Sequence, residues 1–306
     1  MIDNIYSSAE FQEITEVNNS KGIHLSLLDA SGVSCEAHGI IHNSVAKFGV
    51  LAPFWIPSFI EKHSDIKILD EQVSQLLRLS LEVSTSIEIR LPPSFYNSNI
   101  EVLKYLLLKN GFTISDVAIW QSIDVGKFQN GEVYEASLKH SARKVLKNFK
   151  KSCQGVLQEV DLKNHQMVEE AYNLINQNRK SIGTNLKYSL EYVLKLIQLE
   201  PLRIKIFVFQ ADNTPTAAAI CHITSKNILY VAAWGDINTG LAYSPMYNFA
   251  SSLVQYCIDN SLEYLDYGIS SSLDDYNPGL FSFKKNIGCF ATSQEKFIYQ
   301  SEQLRD

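Results

Sequence analysis

Asp266-Tyr267-Gly268 and, further along, Lys284-Lys285 are the residues whose types and spacing could do chemistry. A lysine at the margin of an apolar face can meet an anion or a developing negative charge. Tyr267 could shuttle a proton or orient a leaving group, and Asp266 could deprotonate an amine. Each has a plainer reading beside it. Lys284 could be a snorkelling surface lysine, Tyr267 a core tyrosine with its hydroxyl at the rim, and Asp266 an acid that caps a loop amide.

The elements that must position these groups lie in the stretch from Glu263 to Gly288. Tyr264, Leu265 and Tyr267 suit a half-buried strand, which breaks at Gly268 into a loop of serines and aspartates. A short helix follows, with Asn277 as N-cap, Pro278 as its first residue and Gly288 as its stop. Its spacing puts Leu280, Phe283 and Ile287 on one face, Lys284 at the edge of that face and Lys285 towards water.

The rest of the chain repeats one pattern. Strands are expected at Ile23–Leu28, Cys35–His42 and Lys47–Ile56, a helix near Leu69–Val83, a strand at Ser86–Leu91, a helix from Asn99 to Lys109 and a strand at Phe112–Ser122. Strands at Arg203–Gln210, Thr216–Thr224 and Asn227–Trp234, a helix at Pro245–Asn260, then Glu263–Tyr267, the two-lysine helix and Cys289–Tyr299 give the same order again. A short helix around Ser8–Val17 leads in. Between the halves, Glu135–Ser152 reads as one basic amphipathic helix carrying Lys139, His140, Arg143, Lys144, Lys147, Lys150 and Lys151. It is either a solvated face or a rim that attracts a phosphorylated ligand. Two further helices near Leu162–Gln177 and Asn185–Gln198 flank a polar break at Asn178-Arg179-Lys180-Ser181-Ile182-Gly183, a kind of loop that often carries recognition.

Composition narrows the classes. The 306 residues, 45% hydrophobic and 20% charged, suit a soluble chain of about two domains. A net charge of −6 argues against charge-driven DNA binding. Five scattered cysteines without a CxxC pair fit a reducing, cytoplasmic compartment. No secretory signal or bilayer-length apolar run is expected. His38, His42 and His222 fall on expected strands with no acidic or cysteine partner at ligand spacing, so no metal is expected.

Asp266-Tyr267-Gly268 followed by Gly279-Leu280-Phe281-Ser282-Phe283-Lys284-Lys285-Asn286-Ile287-Gly288 resembles the strand-glycine-loop and Phe-Lys-x-x-x-Gly pattern of tandem GNAT-fold acyltransferases of the Fem type. The resemblance implies an α/β fold of two GNAT-like halves. Residues 1–134 would form a degenerate, acceptor-side half; 135–306 would carry the linker helix, the donor site and catalysis. It implies transfer of an acyl or aminoacyl group from acyl-CoA (acetyl-CoA) or aminoacyl-tRNA to an amine of a small molecule, sugar nucleotide or cell-envelope precursor. Lys284, Tyr267 and Asp266 would be catalytic. Gly235, Gly240, Tyr243, Ser244 and Lys285 would bind the donor, and Asn178, Arg179, Trp234 and His222 the acceptor. A helix starting at Ser244-Pro245 could hold a phosphate on its free N–H groups. The segment before it lacks the Arg/Gln-x-x-Gly-x-Gly/Ala loop of acyl-CoA users, so a non-catalytic binding protein of the same fold is the alternative.

Overall fold

In the computed structural model the described residues are 21–28, 32, 34–49, 55–224, 227–237 and 244–301. In chain order they form β1 (Lys21–Leu28), β2 (Ser34–His42), β3 (Val45–Phe48), α1 (Ser58–Lys62), α2 (Ile66–Leu81), β4 (Ser86–Arg90), α3 (Ile100–Lys109) and β5 (Thr113–Asp124). A middle section holds α4 (Gly131–Ser137), α5 (His140–Ser152), β6 (Gly155–Glu159), α6 (His165–Ser181) and α7 (Leu190–Leu199). Then come β7 (Ile204–Ala211), β8 (Thr214–Thr224), β9 (Ile228–Asp236), α8 (Met246–Asp259), β10 (Tyr264–Ser271), α9 (Pro278–Asn286) and β11 (Phe290–Gln300). The expected order of strands and helices is there twice. The expected helix at Ser8–Val17 and part of the third expected strand lie outside the described residues.

The chain forms two compact units. One comprises residues 1–119, 272–275 and 292–306, the other 120–271 and 276–291. The chain therefore passes from the first unit to the second within β5, before the expected border at 134/135, and its last strand belongs largely to the first. In the first unit the strand order is β1-β2-β3-β4-β11-β5, with β3–β4 parallel and β1–β2, β2–β3 and β4–β11 antiparallel. Leu69, Val73 and Leu76 form the buried stripe of α2, as their spacing requires. In the second unit the order is β5-β10-β9-β8-β7-β6, with β9–β10 parallel and β6–β7, β7–β8 and β8–β9 antiparallel. The core of this unit packs α8 residues Phe249, Leu253 and Cys257 against Phe207, Phe209, Cys221, Leu229 and Leu265 of the strands.

Two expectations of the middle section need correction. Glu135–Ser152 is not one helix: α4 stops at Ser137, Leu138 takes extended angles, and α5 starts afresh at His140. The short strand β6 was not expected. It pairs with β7 and is exposed at four of its five positions, so it lacks the alternation that marks a half-buried strand.

Candidate functional site

The site is built on an interrupted ladder. β9 and β10 pair in parallel at Tyr264–Ile228, Leu265–Leu229 and Asp266–Tyr230, and there the pairing stops. Both strands run on, β9 to Asp236 and β10 to Ser271, so they splay, leaving main-chain groups of β10 in need of other partners. The chain turns at Gly268, whose φ of +64° is one that side-chain-bearing residues rarely adopt. A Cβ there would also come within 3.2 Å of the Tyr230 ring.

Lys284 supplies those partners. Its Nζ donates to the carbonyl oxygens of Tyr267 (2.7 Å), Gly268 (3.0 Å) and Ile269 (2.8 Å). Lys284 is 1% exposed and is the most deeply buried residue of α9; Lys285 faces solvent. It is therefore not the surface lysine at the edge of an apolar face that the helical spacing suggests. Three carbonyls match the three N–H bonds of an ammonium, whereas a neutral amine would leave one unmet. Burial pulls its pKa down to about 8, opposed by Cys289 and the Asp266 carboxylate and assisted by the neighbouring Arg179 charge. The local signals around it behave as expected, since the Asn277 side chain caps α9 by accepting from Leu280 N at 3.0 Å and Pro278 is its first residue.

Asp266 underlies this turn. It is fully buried, and its Oδ1 accepts from Trp120 Nε1 (2.6 Å), Ser122 Oγ (2.9 Å) and Gly268 N (2.8 Å). The bond from Gly268 N is the loop-amide cap of the plainer reading of Asp266, and the three donors together tie its carboxylate to β5 and to the β10 turn. Trp120 and Ser122 were absent from the expected site, and Trp120 is a buried anchor in β5. We expect Asp266→Asn to lower stability by about 1–3 kcal/mol, because the amide nitrogen brings a donor into a ring of donors. Urea denaturation of both proteins measures this.

Tyr267 points the other way, into an aromatic group. Its ring lies 4.6 Å from that of Trp234, and Phe283 is 5.6 Å from Trp234 and 5.2 Å from Tyr247. A register shift between Ile220 and Cys221, where β8 pairs with β9, leaves Ala232 without a partner. That bulge turns Trp234 to the side already faced by Leu229 and Val231. The Tyr267 hydroxyl is buried and has no hydrogen-bond partner among the described residues. Burial lifts its pKa well above the ordinary tyrosine value, so it stays protonated and is a donor.

Asn178 and Arg179 stand in the last turn of α6, which runs through the expected polar break to Ser181 and brings them to the end of β9. Asn178 Nδ2 donates to Asp236 O at 2.7 Å, and Arg179 Nη2 donates to Trp234 O at 2.9 Å. Gly235 is required by this contact, since a Cβ would meet the Asn178 side chain at 2.7–2.8 Å. Arg179 is half-buried, which lowers its pKa, and the bond to Trp234 O is the one it makes among the described residues. It thus has N–H groups to spare. Asp236 is pushed up by burial.

The other expected site residues are less informative. His222 is buried on β8, its ring edge-on to Tyr230, and burial lowers its pKa to about 4, so it is neutral. Ser244 is exposed and its Oγ accepts from Met246 N at 3.3 Å. Gly240 and Tyr243 lie outside the described residues. On α5, Ala142, Leu146 and Phe149 are buried and the basic side chains are exposed. Lys150 pairs with Glu135 at 2.7 Å.

No protein-family model and no curated protein matches the sequence. Solved structures do match the fold. FemX aligns with a TM-score of 0.70 at 11% identity, over 98% of this chain and 94% of its own. The C-terminal (DUF2156) domain of a proposed lysylphosphatidylglycerol synthetase from Agrobacterium fabrum aligns at 0.60 and 12% identity, over 92% and 84%. A tandem GNAT protein from the clavulanic acid biosynthesis pathway aligns at 0.51 and 7% identity, over 91% and 83%. The chain therefore has the mixed α/β, GNAT-type fold that its sequence resemblance implies.

Proposed function

We propose that this protein transfers an acyl or aminoacyl group from an activated donor to the amine of an acceptor. The observation that carries the reading is the β9–β10 splay, flanked by an electrostatically coupled pair of cations, Arg179 and Lys284, and by the unpartnered hydroxyl of Tyr267. In the reaction the neutral amine attacks the donor carbonyl, a C–N bond forms and the C–O or C–S bond to the carrier breaks. The charge that develops on the carbonyl oxygen is met by the Tyr267 O–H and the fixed positive field of Lys284. The proton that the attacking amine sheds goes to the leaving oxygen or sulfur, while the Tyr267 O–H stays on the carbonyl oxygen. Arg179 holds an anionic group of donor or acceptor, with Asn178 and Gly235 setting its height. Asp266 and Lys284 hold the turn on which this geometry rests.

The donor is acyl-CoA or aminoacyl-tRNA. The acceptor is a small molecule, a sugar nucleotide or a cell-envelope precursor. The lysylphosphatidylglycerol and clavulanic acid names of two proteins of like fold fit the same range of chemistry. A second reading, a binding protein without turnover, draws on the full use of Lys284 and Asp266 in holding the backbone. Thermal shift of the full chain with acetyl-CoA, longer acyl-CoAs and charged tRNA tests both, since a ligand at 100 times its Kd adds about 2.7 kcal/mol. A stabilising donor that yields acylated amine in mass spectrometry supports transfer. Stabilisation without product supports the binding reading, and no stabilisation by any of them overturns both. Arg179→Gln is expected to raise KM about tenfold or more while costing under about 1 kcal/mol of stability, because it removes an anion contact but only one internal hydrogen bond.

A further inference from the structure

The β1–β2 hairpin, in the first unit, brings together residues unused by the proposed reaction. Its antiparallel register sets His24 opposite His38 and Ser26 opposite Glu36. His24, His38 and Glu36 therefore share one face, since residues two apart on a strand point the same way. The two imidazole rings stack at 4.3 Å with 9° between their planes, so the exposed His24 ring has to turn about its side-chain bonds before both in-plane lone pairs meet on one ion. Glu36 Oε2 lies 3.2 Å from His38 Nε2 and 3.7 Å from His24 Nε2, and the three ligand atoms fall within 4.8 Å of one another. Four-coordinate zinc with bonds near 2.0–2.1 Å keeps its ligand atoms about 3.3–3.4 Å apart, between those two spacings. His38 is buried and so held in place by the sheet, whereas the His24 and Glu36 side chains are 51% and 55% exposed. That arrangement anchors one ligand firmly and leaves a coordination position open to solvent.

We propose that His24, Glu36 and His38 bind one divalent transition-metal ion of the zinc class, across β1 and β2. Two imidazoles with a single carboxylate favour Zn2+, Co2+ or Ni2+ over Mg2+ or Ca2+, which take oxygen ligands. The ion ties the edge strand to its neighbour and completes its shell with water. This site reverses the expectation from linear spacing, because the acidic partner is two residues from His38 and the second histidine arrives from the other strand.

The test uses the full chain without a histidine tag. Equilibrium dialysis against Zn2+ should give one ion per chain. Titration with Co2+ should give visible absorption bands, which Zn2+ then abolishes. Glu36→Gln and His24→Ala, both on exposed side chains, should each weaken binding about tenfold or more, while His165→Ala, at the exposed start of α6, should leave it unchanged. His38→Ala should do the same as the other two, with circular dichroism checking that the sheet survives. Binding that is absent, or equally weak in the parent, Glu36→Gln and His24→Ala proteins, overturns the proposal, as does binding that His165→Ala weakens as much as they do.

Discussion

Lys284→Met is expected to remove about 3 kcal/mol or more of stability at pH 7, which a urea titration of parent and variant measures. Methionine fills much the same volume but offers no donor, so the buried carbonyls of Tyr267 and Gly268 lose their partner, as does the part-buried carbonyl of Ile269. An unmet buried acceptor costs about 1–3 kcal/mol, and two of them with a third half-open to water outweigh the relief of no longer burying a charge. Lys284→Ala leaves room for water to reach the same carbonyls and should cost somewhat less. Loss of transfer in either variant therefore reports on the β10 turn as well as on charge. A Lys284→Met protein as stable as the parent would show that the ammonium does not hold that turn.

The same lysine gives this prediction a pH signature. Its pKa is about 8 in the folded chain and 10.5 as an ordinary lysine. Between those values the unfolded chain binds more protons than the folded one, so the stability contributed by this group rises with pH. It is fully present above the unfolded value and is lost as pH falls through the folded one. Measured as the difference between parent and Lys284→Met, which cancels the tyrosines and cysteines that also titrate, the gain from pH 7 to pH 10.5 should approach about 3 kcal/mol. A flat difference across that window would mean the lysine is not desolvated as its burial indicates.

What the sequence made legible here is what local chemistry decides. Asn277, Pro278 and Gly288 bound α9 because caps act within one turn, and the stripe of α2 follows from helical period alone. The burial of Lys284 was not legible. Helical spacing places it beside Phe283 and Ile287, yet the reason an ammonium can go inside is a set of carbonyls from a left-handed turn on another element. For Asp266 the capping of a loop amide was legible, and Gly268 N is that amide, but its other donors, Trp120 and Ser122, stand 146 and 144 residues away in sequence. The bulge at Ala232 that re-aims Trp234, and the pairing that sets His24 against His38, are properties of strand register, which alternation constrains but does not number. Nor does any glycine or proline mark the stop at Leu138 between α4 and α5. Arg179 stood out only as part of a polar break, while its value as a cation with unused donors comes from being half-buried against Trp234 O.

Tyr267→Phe should separate folding from function more cleanly than any change at Lys284. The hydroxyl is buried and unpartnered among the described residues, so for the fold alone it is a liability of about 1–3 kcal/mol. Phenylalanine keeps the ring contact with Trp234 and discards that liability, so the variant should be as stable as the parent or slightly more so. Its transfer rate should fall about 100-fold or more, the loss seen when one donor to a developing oxyanion is removed. The fall should lie in kcat rather than KM, because the donor acts on charge that exists only in the transition state. Because the hydroxyl's pKa is raised, no rate change assignable to its ionisation should occur at or below pH 10. A variant that is both stabilised and fully active would return Tyr267 to the core of the second unit. It would also move the search for the oxyanion's donor to the end of β9, where Asp236 has its pKa raised by burial and sits beside Asn178.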